Sequence, residues 1–131
     1  MYFDGASNQS SAGVGVVLIS PTKENIHLSY KLDFKTTNNI AEYEALLLGV
    51  KDAKDMGIMY VKIFGDADLI IQQVNNIFQT KNIRLKAYRD EVLKLRDSFM
   101  FLELSYIPRD LNHLADSLAV SASLFVPPLT P

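Results

Sequence analysis

The alternation of apolar runs with polar breaks predicts three strands, followed by helices that alternate with two further strands. The three early apolar runs are joined by brief polar links, which is typical of an antiparallel meander. The predicted strands cover residues 2–3, 13–20, 26–34, 60–64 and 101–107, and the predicted helices cover 40–56, a segment opened by Asp66, 85–99 and 112–124. The order βββαβααβα predicts an α/β fold, a five-stranded mixed sheet with helices on both faces.

The length of 131 residues predicts one domain, over residues 1–125, and a flexible proline-rich tail over 126–131. The absence of cysteine excludes a disulfide framework and a cysteine-ligated zinc site. The longest apolar run, residues 13–19, is far shorter than the roughly 20 residues of a membrane span. Asp4 comes too early for a signal peptide, so we expect an intracellular protein with no membrane contact.

Charge is distributed unevenly along the chain. The formal net charge is −2, from 13 Lys and Arg against 15 Asp and Glu, whereas nucleic-acid-binding domains are usually basic. Residues 81–97 hold six of the basic residues and three of the acids, a local charge of +3. The rest of the chain therefore has seven bases and twelve acids, a charge of −5. This surplus of acids needs an explanation.

Two of these acids follow predicted strands. Asp4 is predicted to close the first strand and Asp66 the fourth, so the two carboxylates would meet if those strands are neighbours in the sheet. Asp-Gly is also an ordinary turn dipeptide, and Asp66 is equally suited to cap the helix that it opens. The residues alone leave both interpretations open.

Other acids lie on predicted helices. Glu42 falls on the inward side of the first long helix and Glu44 on a charged outward side. An ionised carboxylate on a packed side must be paired, protonated or bound to a metal. Asp116 lies on the flank of the last helix, where it equally serves as a favourable charge near a helix N-terminus. The predicted apolar stripes are Tyr43, Leu46, Leu47, Val50 and Ala53 on the first helix, and Leu111, Leu114, Ala115, Leu118 and Ala122 on the last.

Asp4, Glu42, Asp66 and Asp116 together form an all-oxygen set of candidate metal ligands. Hard oxygen ligands suit Mg²⁺ or Mn²⁺ rather than zinc. A single Mg²⁺ rarely needs four carboxylates, so their number favours two ions. Two such ions stabilise both the attacking and the leaving oxygen in phosphodiester cleavage.

Short motifs follow one another in order along nearly the whole chain. They are YFDGAS at residues 2–7, GVGVV at 13–17, TNNIAEY at 37–43, FGD at 64–66, IPR at 107–109 with Asn112, and ADSLA at 115–119. In this order they resemble type 1 ribonuclease H. The resemblance is strongest to the reverse-transcriptase-associated and archaeal-like branch found in plant proteins and retrotransposon polyproteins.

The resemblance implies the ribonuclease H-like fold and hydrolysis of the RNA strand of RNA·DNA hybrids, giving 5′-phosphate and 3′-hydroxyl ends. It implies that the four acids are catalytic and hold two Mg²⁺ ions, with Mn²⁺ as a substitute. The residues that it assigns to the substrate are Lys35, Thr37, Asn38, Asn39 and Arg109. The two asparagines would contact RNA 2′-hydroxyls or minor-groove edges, and Thr37 with Lys35 would hold a DNA phosphate.

The resemblance also implies a partner, a reverse transcriptase domain in a parent polyprotein, and we expect the isolated domain to be a monomer. His113 is predicted to be a surface residue of the last helix. Two alternatives are a catalytically weak or silent nucleic-acid-binding relative and a DNA nuclease or integrase of related fold. Four converging acids argue against a pure binder, and residues 37–39 favour the hybrid nuclease. Two bound divalent ions would change the formal charge from −2 to +2, so the net charge does not exclude nucleic acid.

Overall fold

The computed structural model describes residues 1–7, 11–34, 36–76 and 81–125. The strands are β1 (Tyr2–Ser7), β2 (Ala12–Ile19), β3 (Asn25–Leu32), β4 (Tyr60–Gly65) and β5 (Phe101–Tyr106). The helices are α1 (Asn38–Asp55), α2 (Asp68–Asn76), α3 (Ile83–Arg96) and α4 (His113–Phe125), with a 3₁₀ turn at Arg109–Leu111. The predicted order βββαβααβα is therefore confirmed.

The five strands form one mixed sheet in the order β3-β2-β1-β4-β5. β1 and β2, and β2 and β3, are antiparallel, as the short links between them predicted. β4 is parallel to both β1 and β5. β1 therefore lies between its antiparallel hairpin partner and a parallel neighbour, the kind of position at which α/β sheets form ligand sites.

The predicted end of β1 at Asp4-Gly5 is wrong. The strand continues to Ser7, Asp4 pairs with Gly15, and Gly5 pairs with Val14 across the ladder. Six paired residues hold this segment to β2, and the backbone hydrogen bonds of that ladder outweigh the turn preference of Asp-Gly. Asp4 therefore lies in the middle of a strand and not at its end.

Helices cover both faces of the sheet. α1 approaches β1 so closely that a methyl group at Gly5 would overlap the backbone of Ala41 and Glu42. On the other face, α4 crosses β2 where methyl groups at Gly13 and Gly15 would overlap the α4 backbone. Glycine in the strand permits both close approaches. Asp4 pairs with Gly15, so its side chain lies on the α4 face.

The main core lies between α1 and the sheet. Every residue of the predicted α1 stripe is buried. The largest fully buried side chains of the core include Tyr43, Phe3, Leu46, Ile63, Ile70 and Ile71. Phe3 and Ile63 come from the neighbouring strands β1 and β4, so burial of their apolar area in one core stabilises the packing of both strands.

The predicted stripe of α4 is partly wrong. Leu111 and Leu114 are 65% and 46% exposed, whereas Ala115, Ala119 and Ala122 are buried. Small side chains face β2 because α4 packs directly over its two glycines. Leu118 meets the Gly15 position through its Cβ, whereas Leu111 and Leu114 are exposed.

The proposed tail, residues 126–131, lies outside the described residues, as does Lys35. The division into a domain over 1–125 and a tail therefore stays a prediction. Among the helices that the structure describes, none is both long enough and apolar enough to cross a membrane.

Candidate active site

Four secondary-structure elements bring the predicted acids toward one point. Asp4 lies in the middle of β1, Glu42 in the second turn of α1, Asp66 directly after β4, and Asp116 in the first turn of α4. One carboxylate oxygen from each of Asp4, Glu42 and Asp66 lies within 4.8 Å of the others. Asp4 and Glu42 are buried, with 5% and 6% of their surface exposed, and Asp66 is half-buried.

Glu42 owes its position to the start of α1. Thr37 caps this helix, and its Oγ1 accepts a hydrogen bond of 3.3 Å from the amide of Ile40. The cap places Glu42 one turn into the helix, against β1. There the backbone amide of Gly5 donates a hydrogen bond to Oε1 of Glu42. The predicted inward orientation of Glu42 is confirmed.

Asp66 does not cap a helix. α2 begins at Asp68, two residues later than predicted, and the amide of Ile71 donates to the carbonyl of Ala67. Ala67 therefore occupies the capping position. The carboxylate of Asp66 instead accepts a hydrogen bond of 3.4 Å from Nδ2 of Asn112. β1 and β4 are neighbours, so the expected meeting of Asp4 and Asp66 is confirmed.

Asp116 lies beside this group of three acids. Its carboxylate contributes a hydrogen bond that raises the pKa of Asp4, so the two side chains are adjacent. Arg109 approaches Asp116 at 3.5 Å between Nη2 and Oδ1 and is 79% exposed. Because of that exposure, the ion pair neutralises the acids only weakly.

The electrostatics of the cluster favour neutral or cation-bound carboxyl groups. Burial, and then the neighbouring acids Glu42, Asp116 and Asp66, raise the pKa of Asp4 far above its usual range. Burial raises the pKa of Glu42 to about 7, although hydrogen bonds from Asp4 and Gly5 lower it. Ionised carboxylates this close together repel one another. At neutral pH the cluster is therefore stabilised by bound protons or by a bound cation.

The donor set fits a hard divalent cation. All the converging ligand atoms are carboxylate oxygens, which Mg²⁺ and Mn²⁺ prefer. The side-chain carbonyl oxygen of Asn112 is buried nearby without a hydrogen-bond partner among the described residues. A buried polar atom without a partner, next to acids with raised pKa values, is typical of a site that is completed by a ligand.

The predicted substrate residues differ in their position and in their exposure. Thr37, Asn38 and Asn39 form the N-terminal end of α1, one turn before Glu42. Asn38 is exposed and its Oδ1 accepts a hydrogen bond of 2.6 Å from Oγ of Ser7, whereas Asn39 is half-buried. The placement of Lys35 is not described, and His113 is exposed at the first residue of α4, as predicted.

The outward, solvated position predicted for Glu44 is wrong. Glu44 is half-buried and accepts a hydrogen bond from the hydroxyl of Tyr88 on α3. The ring of Tyr88 also stacks on Tyr43, with 5.7 Å between ring centroids. α3 packs against α1 and covers the side that helical periodicity alone assigns to solvent.

Asn112 is the site residue whose role the sequence reasoning missed. It is 1% exposed, and its Nδ2 donates both to Asp66 and to the carbonyl of Phe3. The sequence signal was its position three residues before the ADSLA motif. A polar residue before an apolar helix is usually a cap, so periodicity could not distinguish this one.

The family profile described as reverse transcriptase-like matches residues 2–122. Ribonuclease HI of Halobacterium salinarum is 33% identical over 123 residues, which cover 92% of this chain and 62% of that protein. The crystal structure of RNase H1 from the same archaeon has a TM-score of 0.83 and 32% identity, covering 92% of this chain and 93% of the other. The five-stranded α/β fold is thus that of ribonuclease H structures.

Two further relatives are similar to this chain over most of its length. The bifunctional protein Rv2228c of Mycobacterium tuberculosis is 29% identical over 91% of this chain and 34% of its own length, and its N-terminal RNase H domain has a TM-score of 0.84. LC11-RNase H1, solved in complex with RNA/DNA hybrid, has a TM-score of 0.84 and 29% identity, over 93% of this chain and 94% of its own. The chain therefore spans under two thirds of the length of these curated relatives. It belongs to the reverse transcriptase-like family, among the type 1 ribonuclease H domains.

Proposed function

We propose that this chain is a metal-dependent endoribonuclease that hydrolyses the RNA strand of RNA·DNA hybrids. The observation that carries the proposal is the convergence of Asp4, Glu42 and Asp66 within 4.8 Å, with Asp116 beside them. The shared fold supports it, because a relative of 29% identity was solved in complex with RNA/DNA hybrid. The products would carry 5′-phosphate and 3′-hydroxyl ends.

The four acids would hold two Mg²⁺ ions, with Mn²⁺ as a substitute. When bound, such a pair supplies a water of lowered pKa for in-line attack and offsets charge on the leaving 3′-oxygen. The raised pKa values of Asp4 and Glu42 support this assignment, since burial, the main cause of both shifts, penalises the ionised carboxylates and a bound cation would offset that penalty. The amide of Gly5 keeps Glu42 turned toward Asp4.

Selection of a hybrid would come from the N-terminal end of α1 and from Arg109. The amide side chains of Asn38 and Asn39 offer both donors and acceptors, the groups needed to contact a 2′-hydroxyl. The hydroxyl of Thr37 accepts from Ile40 and keeps its own proton to donate to a DNA-strand phosphate, with Lys35 supplying charge. Arg109, exposed beside Asp116, would meet the RNA phosphates.

As partner we propose a reverse transcriptase domain of a parent polyprotein, with the isolated domain monomeric. The branch that the motifs resemble supports this partner. A catalytically silent nucleic-acid-binding domain is the alternative. The buried acids argue against it, because unneutralised carboxylates would repel nucleic acid.

The test is cleavage of a labelled RNA·DNA hybrid of mixed sequence with Mg²⁺, with Mn²⁺ and with chelator. We expect metal-dependent cutting of the RNA strand alone, lost in Asp66→Asn, with 5′-phosphate ends on the fragments. Matched DNA and RNA duplexes are the substrate controls. Binding of the hybrid without cutting by either metal would favour the silent domain, and cutting of duplex DNA would favour the DNA nuclease.

A further inference from the structure

The parallel ladder between β1 and β4 ends just before the acids. Tyr2 and Phe64 are its one described pair, with a hydrogen bond of 2.8 Å from the amide of Phe64 to the carbonyl of Met1. If the ladder continued with the same spacing, the amide of Asp66 would donate to the carbonyl of Phe3. β4 instead stays paired with β5 as far as Gly65, and the chain then leads into α2, so no further pair forms between the segments that bear Asp4 and Asp66.

Asn112 fills the point of separation. Its Nδ2 donates to the carbonyl of Phe3 at 2.9 Å, in place of the strand amide, and to Oδ2 of Asp66 at 3.4 Å. The backbone carbonyl of Asn112 accepts from the amide of Asp116 at 3.1 Å in the first turn of α4. One buried residue thus contacts the backbone next to Asp4, the side chain of Asp66 and the backbone of Asp116.

We propose that Asn112 is a positioning residue that fixes the spacing of Asp66 from Asp4 and Asp116 and so sets the divalent-metal affinity of the cluster. The inference rests on the proposed function, since it assumes that the acids bind metal. Hydrogen bonds from a second layer of residues commonly orient metal ligands in this way.

The chemistry of the amide explains why asparagine is needed here. Its NH₂ group supplies two donors for two acceptors, the Phe3 carbonyl and the Asp66 carboxylate. Aspartate would place another acceptor against that carboxylate, and alanine would leave both acceptors without a donor. Packing alone does not explain the residue, because the amide oxygen is buried without a partner among the described residues, an arrangement that costs stability.

The test separates positioning of Asp66 from anchoring of α4. Asn112→Ala is compared with Ser29→Ala, because Oγ of Ser29 donates 2.8 Å to the carbonyl of Leu118 and so anchors the same helix through its backbone and not through an acid. Mn²⁺ binding is measured by calorimetry well below Tm, and folding is checked by amide NMR spectra. We expect Asn112→Ala to weaken Mn²⁺ binding by about 10–100-fold. Ser29→Ala should lower Tm and leave the Mn²⁺ Kd within about twofold, because the lost hydrogen bond goes to the backbone of Leu118 and to none of the four acids.

A double-mutant cycle with Asp66→Asn tests the route of the effect. If Asn112 acts through Asp66, Asn112→Ala should weaken Mn²⁺ binding much less in the Asp66→Asn background than in the wild type. An unchanged Kd in folded Asn112→Ala, or full additivity in the cycle, would overturn the positioning role. If Asn112→Ala does not fold, Asn112→Ser retains one donor and takes its place in the same comparison.

Different results would contradict the proposed function and the positioning role of Asn112. A wild type that neither binds Mn²⁺ nor cleaves the hybrid overturns the proposed function and the positioning role together. A wild type that binds Mn²⁺ more tightly than Asp66→Asn does, while Asn112→Ala binds as tightly as the wild type, overturns the positioning role alone.

Discussion

The backbone amide of Gly5 donates a hydrogen bond to the carboxylate of Glu42, and this contact joins β1 to α1 next to Asp4. The bond forms because the helix lies against the strand with no side chain between them. A methyl group at Gly5 would overlap the backbone of Ala41 and Glu42. The absence of a Cβ at this strand position therefore determines the geometry of two candidate metal ligands.

We predict that Gly5→Ala displaces α1 and with it Glu42. The overlap is with backbone, which cannot rotate away, so we expect a loss of about 1–3 kcal/mol in the free energy of unfolding. We also expect a fall of about 100-fold in kcat, as for a catalytic group that is misplaced by about 1 Å. Urea unfolding and hybrid cleavage measure the two effects.

Gly49→Ala is the matched control for this prediction. A methyl group there meets the flexible end of the Met1 side chain, which can move, and lies 3.1 Å from Cγ1 of Val16. Alanine favours a helix over glycine by about 1 kcal/mol, which offsets the small shift that Val16 requires. We expect unfolding free energy and kcat close to wild type. Equal losses in the two variants would contradict the argument from the Gly5 contact.

We predict that Asp4→Asn stabilises the metal-free protein and abolishes cleavage. Burial and neighbouring acids raise the pKa of Asp4, so ionising it costs free energy in the folded state, and a neutral amide avoids this cost. In chelator, Tm should rise by at least a few degrees, because 1 kcal/mol corresponds to roughly 2–8 °C in a domain of this size. With Mg²⁺ the wild type should gain Tm and the variant much less, since metal binding to the folded state alone stabilises it. A lower Tm for Asp4→Asn in chelator would show that the acid is not under electrostatic strain.

We predict that the stability of the metal-free protein falls as pH rises from about 5 to 9. The pKa of Glu42 is raised to about 7 from 4.5 and that of Asp4 is raised further, so in this range these two groups bind more protons in the folded state than in the unfolded state. Burial lowers the pKa of the Met1 amino group from 8.0 to about 6, which offsets part of their effect between pH 6 and 8. The free energy of unfolding then decreases with pH. Its loss begins near the unfolded carboxyl pKa and continues through the folded values.

Mg²⁺ should reverse this trend, because a cation takes the place of the protons. The measurement is urea unfolding across the pH range in chelator and in millimolar Mg²⁺. The double variant Asp4→Asn with Glu42→Gln should give a flatter profile in chelator. A rise in the free energy of unfolding of the wild type over the same pH range in chelator would contradict this prediction.

The parts of the site that depend on local periodicity could be predicted from the sequence. The inward orientation of Glu42 follows from its place beside a helical apolar stripe, and the run of Thr and Asn at 36–39 is typical of a helix N-cap. The approach of Asp4 to Asp66 could be predicted only as a condition, because it depends on β1 and β4 being neighbours in the sheet. Strand order is decided by long-range packing.

Contacts between elements that are distant in the chain could not be predicted from the sequence. Glu44 falls on a charged side of α1 by periodicity, yet α3 covers that side and supplies Tyr88. Leu111 and Leu114 fit the apolar spacing of α4, yet both are exposed, because the backbone of α4 lies directly over the glycines of β2. Asn112 contacts Phe3, a residue 109 positions away, and no local pattern encodes such a pair.

We predict that Tyr88→Phe lowers stability and leaves catalysis unchanged. The variant keeps the ring stacked on Tyr43 but removes the hydroxyl that donates to half-buried Glu44. The loss of that bond should cost about 0.5–1.5 kcal/mol. Glu44→Gln retains an acceptor and is expected to cost less. The free energy of unfolding and kcat on the hybrid measure the result, and a large fall in kcat would show that this pair influences the acids.

We predict that Arg109→Ala weakens hybrid binding without loss of stability. Arg109 is 79% exposed and pairs with Asp116 at 3.5 Å, and an exposed pair of this kind contributes about 0–1 kcal/mol. If Arg109 contacts a phosphate, its removal should raise KM and reduce the slope of log KM against log salt concentration by about 1. Lys54→Ala, which removes an exposed charge at the far end of α1, is the matched control and should leave that slope unchanged. Equal slopes for wild type and Arg109→Ala would exclude a phosphate contact and restrict Arg109 to its pairing with Asp116.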